Sequence, residues 1–261
     1  MCERMNIFVT NDDGVFAKGL RELVKELKKI GRVIVVAPDR ERSAIGHAVT
    51  FFDPLRMHKL EESRKCSIYS STGTPTDCIL LGLCHVMKKK PDIVITGINI
   101  GPNMGDDITY SGTVSSAMEG ALRGIPTMAV SVASFKDPHF STAAIVAARL
   151  APIVVENGME PRTFLNINVP SVPVEDVKGI EITSQGESRY IQQFEEKYDP
   201  RGKAYYWFAN NLPEGIAEEG TDFHAIRRNF VSVTPLQLNL TCHKTKAMLK
   251  EWNLSRLVPF S

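Results

Sequence analysis

Two carboxylates stand side by side at Asp12 and Asp13, directly after a short apolar run in NIFVTNDDG (Asn6–Gly14). Adjacent carboxylates repel each other, and each resists leaving water. A divalent cation held between them is the simplest remedy, and Gly14 lets the chain turn sharply or approach a ligand. Asn, Asp and Gly also build ordinary solvated turns, so this segment alone leaves both readings open. A second cluster, Ser111-Gly112-Thr113, opens a helical stretch. Its hydroxyls, free N–H groups and positive dipole end suit an anion, most naturally phosphate, unless the hydroxyls merely cap the helix. Ser43 and Asn99 each follow another apolar run. Asp12, Asp13, Ser43 and Asn99 all offer oxygen, which favours magnesium, manganese or calcium over zinc or copper. A hard cation beside a phosphate-type helix start points to phosphoryl-transfer chemistry.

The elements that must position these residues alternate. Ile7, Phe8 and Val9 suit a buried parallel strand. Leu20, Leu23, Val24, Leu27 and Ile30 recur at helical spacing before the terminator Gly31, and Arg32–Pro38 is a second strand. Such a β-α-β unit implies a parallel sheet. Leu55–Lys65 is charged and peripheral, Ser67–Ser71 a short strand, and Thr74-Pro75 caps a buried helix over Cys78–Met87. Lys88-Lys89-Lys90 closes that helix, where cations complement the dipole. Asp92–Ile98 and Pro126–Val132 are strands that flank a helix from about Val114 to Arg123. The helix His139–Glu156 should be kinked or shortened by Pro152, and Phe164–Val169 is a further strand. This alternation argues for a doubly wound, mostly parallel α/β sheet, in which ligands bind beyond the carboxyl ends of the strands. From about Lys178 the pattern changes to strands at Ile180–Thr183 and Tyr190–Lys197, a turn at Asp199–Gly202 and the aromatic return AYYWF. A short polar piece (Thr221–Arg228), a strand interrupted by Pro235 (Phe230–Leu240) and a tail helix (Lys244–Leu257) follow. The expected division is a catalytic core over 1–177 and a hairpin-and-tail portion over 178–261 that makes oligomer contacts.

Composition narrows the classes. The chain has 261 residues, 43% apolar and 23% charged, with net charge +1, so no global field points to nucleic acid or an anionic membrane. No apolar run looks long enough to span a bilayer and no signal peptide is evident. The cysteines at 2, 66, 78, 84 and 242 are odd in number and scattered, which fits reduced thiols in the cytoplasm.

NDDG (Asn11–Gly14), APDRERS (Ala37–Ser43), TPTD (Thr74–Asp77), TGINIGPNMGDDITYSGTVSSAMEG (Thr96–Gly120), LNINVP (Leu165–Pro170) and VSVTPL (Val231–Leu236) span nearly the whole chain. On these motifs the chain closely resembles the SurE family, the survival-protein-E nucleotidases. It departs from the family pattern at Ser43-Ala44, usually Ser-Gly, and at Ser115-Ser116, usually two alanines. The resemblance implies a Rossmann-like core with a C-terminal extension for dimer or tetramer assembly. It implies a phosphatase that hydrolyses nucleoside 5′-monophosphates with one divalent ion, manganese or magnesium, with 3′-nucleotides and short polyphosphate as possible extras. The metal ligands would be Asp12, Asp13, Ser43 and Asn99, and Asn11, Asn103, Ser111, Gly112 and Thr113 would touch phosphate. Attack by a metal-activated water is expected, with Asp12 favoured over Asp13 to orient that water or accept its proton. Tyr69, Tyr110, Tyr190 and Phe208 are candidates for stacking on a base.

Two rival classes have distinct signatures. A receiver-type signalling domain would need a phospho-acceptor such as Asp39 and a lysine ending a later strand, and no convincing lysine follows one. A nucleotide-binding module without turnover would bind substrate and release no phosphate. A dinucleotide dehydrogenase is poorly supported, because the first strand ends in NDDG and not in a GxGxxG turn.

Overall fold

Residues with apolar side chains on both faces build the first strand, β1 (Met5–Thr10): Ile7 and Val9 pack on one side of the sheet, Phe8 on the other. The computed structural model describes residues 5–189, 193–209, 214–252 and 254. Helix α1 (Lys18–Leu27) buries Leu20, Leu23, Val24 and Leu27 and leads to β2 (Gly31–Pro38), parallel to β1. There follow β3 (Met57–Glu62), β4 (Cys66–Ser71), α2 (Pro75–Leu81), β5 (Ile93–Ile100) and α3 (Gly112–Leu122). Next come β6 (Thr127–Val132), α4 (Phe140–Asn157), β7 (Thr163–Val169), β8 (Gly179–Ile182) and the short β9 (Ser188–Arg189). The chain continues through β10 (Gln193–Tyr198), β11 (Ala204–Ala209), β12 (Glu214–Gly215), α5 (Asp222–Arg227), β13 (Phe230–Gln237) and α6 (His243–Lys250).

Nine strands form the main sheet, in the order β3-β4-β2-β1-β5-β6-β7-β13-β8. Neighbours run parallel except β3 with β4 and β7 with β13. Helices α1 and α4 cover one face, over a core of Leu23, Leu27, Ile95 and Ala147; α2 and α3 cover the other, over Phe8, Val94 and Ala129. The chain leaves β1 for β2 on one side and later crosses back to β5 on the other. The carboxyl ends of β1 and β5 therefore bound a topological switch point, the place where open α/β sheets bind ligands. Asp12, Asp13 and Asn99 all lie at it.

Several local expectations change. The charged segment 55–65 contains β3, whose Lys59, Glu61 and Glu62 are exposed on a sheet edge, where charges discourage pairing with another chain. The helix expected over Cys78–Met87 is regular only to Leu81 and finishes in a π-helical turn (Gly82–Val86), with Cys84 and His85 exposed. Lys90 reaches beyond its own helix to donate to the Gly124 carbonyl, just past the end of α3 (2.7 Å). Helix α4 runs through Pro152 to Asn157. By length and hydropathy it could cross a membrane, contrary to the reading of the sequence, but it packs on α1 and the sheet with half its residues buried. Pro235 sits in a strand flanked on both sides, yet β8 pairs only as far as Val233, so its missing N–H falls where β13 is an edge.

Strands β8 and β13 extend the main sheet past residue 177. The hairpin β10–β11 stands outside it and turns at Asp199, whose carboxylate accepts from the N–H groups of Arg201 and Lys203. Tyr190, and the tail helix beyond Lys250 apart from 251, 252 and 254, lie outside the described residues, as does Cys2. Cys66, Cys78, Cys84 and Cys242 are free thiols.

Candidate active site

The acidic pair straddles the sheet edge. Asp12 is 3% exposed and turns toward α3, where the Thr113 hydroxyl donates to its Oδ1 at 2.5 Å. It packs so closely on Gly112 that a Cβ added there would stand 2.7 Å from Asp12 Oδ2. The α3 dipole and the free N–H groups of its first turn favour a negative charge at that spot. Asp13 is half-buried and turns toward β5, accepting the N–H of Ile100 at 3.3 Å. Burial pushes the Asp12 carboxyl above its ordinary range, against the Thr113 hydrogen bond that lowers it. Burial and then the charge of Asp12 raise Asp13 to about 7.

Asn99 spends its amide nitrogen on the carbonyls of Ile100 and Gly101 (3.1 and 2.9 Å), which leaves its Oδ1 as an acceptor lone-pair donor beside Asp13. Asn11 is buried, donates to the Gly14 carbonyl at 3.0 Å and keeps an unpartnered Oδ1. Ser43 is exposed and donates to Glu41 at 2.7 Å. It reaches the site through its neighbour, since the Arg42 N–H bonds the Asp12 carbonyl at 2.7 Å. Glu41 is a charge the sequence reading passed over: its field raises both Asp12 and Asp13.

The loop that carries Ser43 is pinned at several points. The Gly46 N–H bonds the Tyr110 carbonyl, and Ser115 donates to the Gly46 carbonyl at 2.7 Å. His47 meets the buried Glu119 of α3 at 3.2 Å, a structural role. Thr50 donates twice to Asp77, which also closes a capping box with Thr74. The TPTD motif thus starts a helix and anchors the loop together.

The glycine-rich segment between β5 and α3 is held from the far side of the molecule. Asn103 donates its amide nitrogen to Ser131 at 2.8 Å and its N–H to Asn168 at 2.8 Å, and its carbonyl accepts from Asn166 and Asn168. Its backbone N–H and one of the two amide N–H donors are thereby committed to β7 and β6. Asp222, buried at the start of α5, accepts the N–H groups of Gly105, Gly186 and Phe223. Burial raises its carboxyl, and those N–H donors oppose the rise. Nothing local in TDFHAIRR marks Asp222 as a partner of Gly105; its position as first residue after a Thr cap is the one available signal. Ser111 caps α3 by accepting from Val114, while Thr113 serves Asp12 instead. Tyr69 packs with the α2-side core beside Lys59, away from the acidic pair, and Tyr110 is exposed on the glycine-rich loop.

The donor set suits a hard divalent cation. Among the described residues no three His, Cys, Asp or Glu side chains converge, so the carboxylate pair must be completed by neutral oxygens and water. The Asn99 oxygen, whose amide nitrogen is spent on two carbonyls, and two carboxyls that resist being charged together are what such an ion would engage.

Fold and site together define a class: open α/β proteins with an acidic pair at the switch point, set against a serine-capped helix start. A profile described as Survival protein SurE matches residues 7–192. A Geobacter metallireducens protein named 5'-nucleotidase SurE is 48% identical over 254 residues, covering 97% of this chain and 99% of its own. One of the same name from Geobacter sulfurreducens is 49% identical over 256 residues, covering 98% and 96%. The crystal structure of the SurE protein from Aquifex aeolicus superposes with a TM-score of 0.82 at 43% identity, over 95% of this chain and 99% of that one. The chain belongs to the survival protein SurE family.

Proposed function

We propose that the chain is a divalent-cation-dependent phosphatase that hydrolyses nucleoside 5′-monophosphates. The observation that carries this reading is the buried Asp12 carboxylate set on the first turn of α3 beside Asp13 at the switch point. The relatives named 5'-nucleotidase SurE support the substrate class.

Asp12, Asp13, Asn99 and, through a change of partner from Glu41, Ser43 would hold one ion, manganese or magnesium. Bound there, it would polarise a phosphoryl oxygen and supply a water of lowered pKa. Ser111 accepts from Val114 and keeps its own proton, so it and the N–H group of Gly112 can receive the phosphoryl oxygens. The Thr113 hydroxyl, given to Asp12, orients the carboxylate instead of the phosphate. Asp13, the less buried of the pair, is the better placed to take a proton from water, in place of the Asp12 favoured on resemblance. Asn103 we assign to holding the loop through its backbone N–H and one amide N–H, with the second amide N–H left for a phosphoryl oxygen.

The receiver-type reading has less support: Asp39 is exposed beside Arg40. The exposed Phe194, Tyr198, Tyr205, Tyr206 and Trp207 of the hairpin support its use between copies in a dimer or tetramer. The free thiols support a reducing, cytoplasmic setting, and the balanced net charge of +1 gives no reason to expect a nucleic-acid duplex or a membrane as partner.

Phosphate release from 5′-AMP with manganese, with magnesium and with EDTA tests the proposal. Release that needs the ion is expected; binding of the nucleotide with no release under either metal would favour the non-catalytic module.

The acidic pair also predicts a pH dependence. The folded-state Asp13 titrates at about 7, above its ordinary 3.8, so the stability it contributes is full below that ordinary value and is lost as pH rises through about 7. A divalent ion competes with the proton and restores it. Manganese should therefore raise the Tm more at pH 8 than at pH 5.5, by about 5 °C or more. Asp13→Asn should flatten the difference, as scanning calorimetry can read; an equal shift at both pH values would contradict the assignment.

A further inference from the structure

An open cleft of about 440 Å³ lies at the amino-terminal edge of the sheet, between the end of α1 and the turn that joins β3 to β4. Lys28, Lys29, Ser63, Arg64 and Lys65 line it, with no carboxylate, aromatic ring or aliphatic side chain among them. Of the acids nearby, Glu26 is taken by Lys29 at 2.6 Å and Glu62 by Lys59 at 2.7 Å. The side chains of Lys28, Arg64 and Lys65 make no hydrogen bond or ion pair among the described residues. Cations at the end of α1 complement its dipole, which accounts for the two lysines there. It does not account for Arg64 and Lys65, which stand on a turn between strands.

The backbone holds these like charges together. Ser63 Oγ accepts the Cys66 N–H and donates to the Cys66 carbonyl, each at 3.1 Å, so the turn is closed on itself. The Lys65 carbonyl accepts the Val33 N–H at 2.9 Å, which fastens the turn to the start of β2. Just before that strand, the Ile30 N–H bonds the Leu27 carbonyl at 3.0 Å and closes α1. Four cations are thus fixed around one concave surface. A cleft lined by one sign of charge focuses its field and gathers counter-ions. A bound anion would relieve the repulsion that the backbone imposes.

We propose that this cleft is a binding site for a linear chain of two or more phosphates, free or carried as the tail of a nucleoside triphosphate. The Arg64 guanidinium can meet two phosphoryl oxygens at once, and the lysines act as point charges along the chain. The volume lies in the range of small-molecule sites, roughly 300–1,000 Å³, and exceeds what a single phosphate fills. With no aromatic or aliphatic wall, the cleft offers nothing to read a base or to seat the apolar side chains of an acidic peptide. The site stands apart from the acidic pair. Strand β2 begins at the cleft and ends at the loop that carries Ser43, and its eight residues span roughly 25 Å. Neither the ion nor the phosphoryl group of the proposed reaction can touch a ligand held there, so the inference does not rest on the nucleotidase reading.

The test titrates tripolyphosphate, ATP, AMP and hexaglutamate into wild type by calorimetry, with EDTA present so that no divalent ion joins them to the acidic pair. The double variant Arg64→Ala/Lys65→Ala and the single variant Lys28→Ala are run beside it, with circular dichroism melts to confirm that each folds. Tripolyphosphate should bind wild type about tenfold or more tighter than AMP, and the double variant should lose about that factor with its charge-assisted contacts. Lys28→Ala should weaken binding in the same direction. Raising the salt from about 50 to about 200 mM should weaken it too. Tripolyphosphate at or above ATP in affinity points to the free chain, and ATP tighter by about tenfold points to the nucleotide tail; either order supports the site. No binding of tripolyphosphate or ATP by wild type, undiminished affinity in both variants, or hexaglutamate binding as tightly as tripolyphosphate would overturn the proposal. Phosphate release from 5′-AMP with manganese should be the same in the variants as in wild type, and a loss there equal to the loss of tripolyphosphate affinity would overturn the separateness of the site.

Discussion

Asp12→Asn should lower phosphate release from 5′-AMP by about 10²–10³-fold or more, while making the metal-free protein more stable. The two effects have one cause. Asp12 is 3% exposed, and its carboxyl is driven upward by burial because the charged form has lost its water. The Thr113 hydroxyl and the α3 dipole offset only part of that cost. An asparagine keeps the shape and an oxygen for Thr113 but carries no charge to desolvate. Without an ion the variant should therefore melt a few degrees higher near neutral pH, where a change of 1 kcal/mol moves a chain of this size by about 2–4 °C. With manganese the order should reverse, because the wild type gains an ion and the variant gains little. Activity at the wild-type level, or a metal-free variant that melts lower, would mean that Asp12 is an ordinary satisfied carboxylate.

Gly112→Ala should damage the same site from the helix side. Alanine is the better helix former, by up to about 1 kcal/mol, so propensity alone predicts a gain. Sterics decide otherwise: the added Cβ would lie 2.7 Å from Asp12 Oδ2 and 2.8 Å from its Cβ. Oδ2 ends a short side chain already held by Thr113, and the Asp12 Cβ cannot swing away, so either Asp12 leaves Thr113 or α3 moves off the sheet. Overpacking of this kind costs typically about 1–3 kcal/mol. Activity should fall about 10²-fold, because a carboxylate displaced by an ångström no longer meets its ligand. Circular dichroism melts and the kcat for 5′-AMP measure the two effects separately. A variant with native stability and activity would show that Asp12 has room the structure does not indicate.

The acidic pair, Asn99 and the Ser111 cap were readable because each follows or starts a strongly patterned element. A buried strand that stops at NDDG, or a helix opened by Ser-Gly-Thr, carries its information within ten residues. Which side chains those groups would spend on one another was not readable. Thr113 looked like a phosphate ligand and donates to Asp12; Asn103 looked like another and fastens its loop to Ser131 and Asn168. Both pairings join residues far apart in sequence, and local composition is silent about such distances. Glu41 escaped notice for a different reason: in APDRERS it is one charge among several, and the hydrogen bond from Ser43, two residues on, singles it out. Strand β3 was missed for a related reason: an edge strand is exposed on most of its residues, so Lys59, Glu61 and Glu62 erase the alternation that marks a half-buried one.

The hold of Asp222 on Gly105 bears on how the protein is made. A ribosome delivers the chain from its amino end, so every candidate ligand from Asp12 to Thr113 has emerged while the segment from Gly186 to β13 is still to come. At that stage the sheet ends at β7, and the Gly105 amide, held in the finished protein by the Asp222 carboxylate, still awaits that acceptor. Maturation of the centre is thus tied to completion of translation: a chain released early would carry the whole set of ligands on a backbone not yet fastened to receive them.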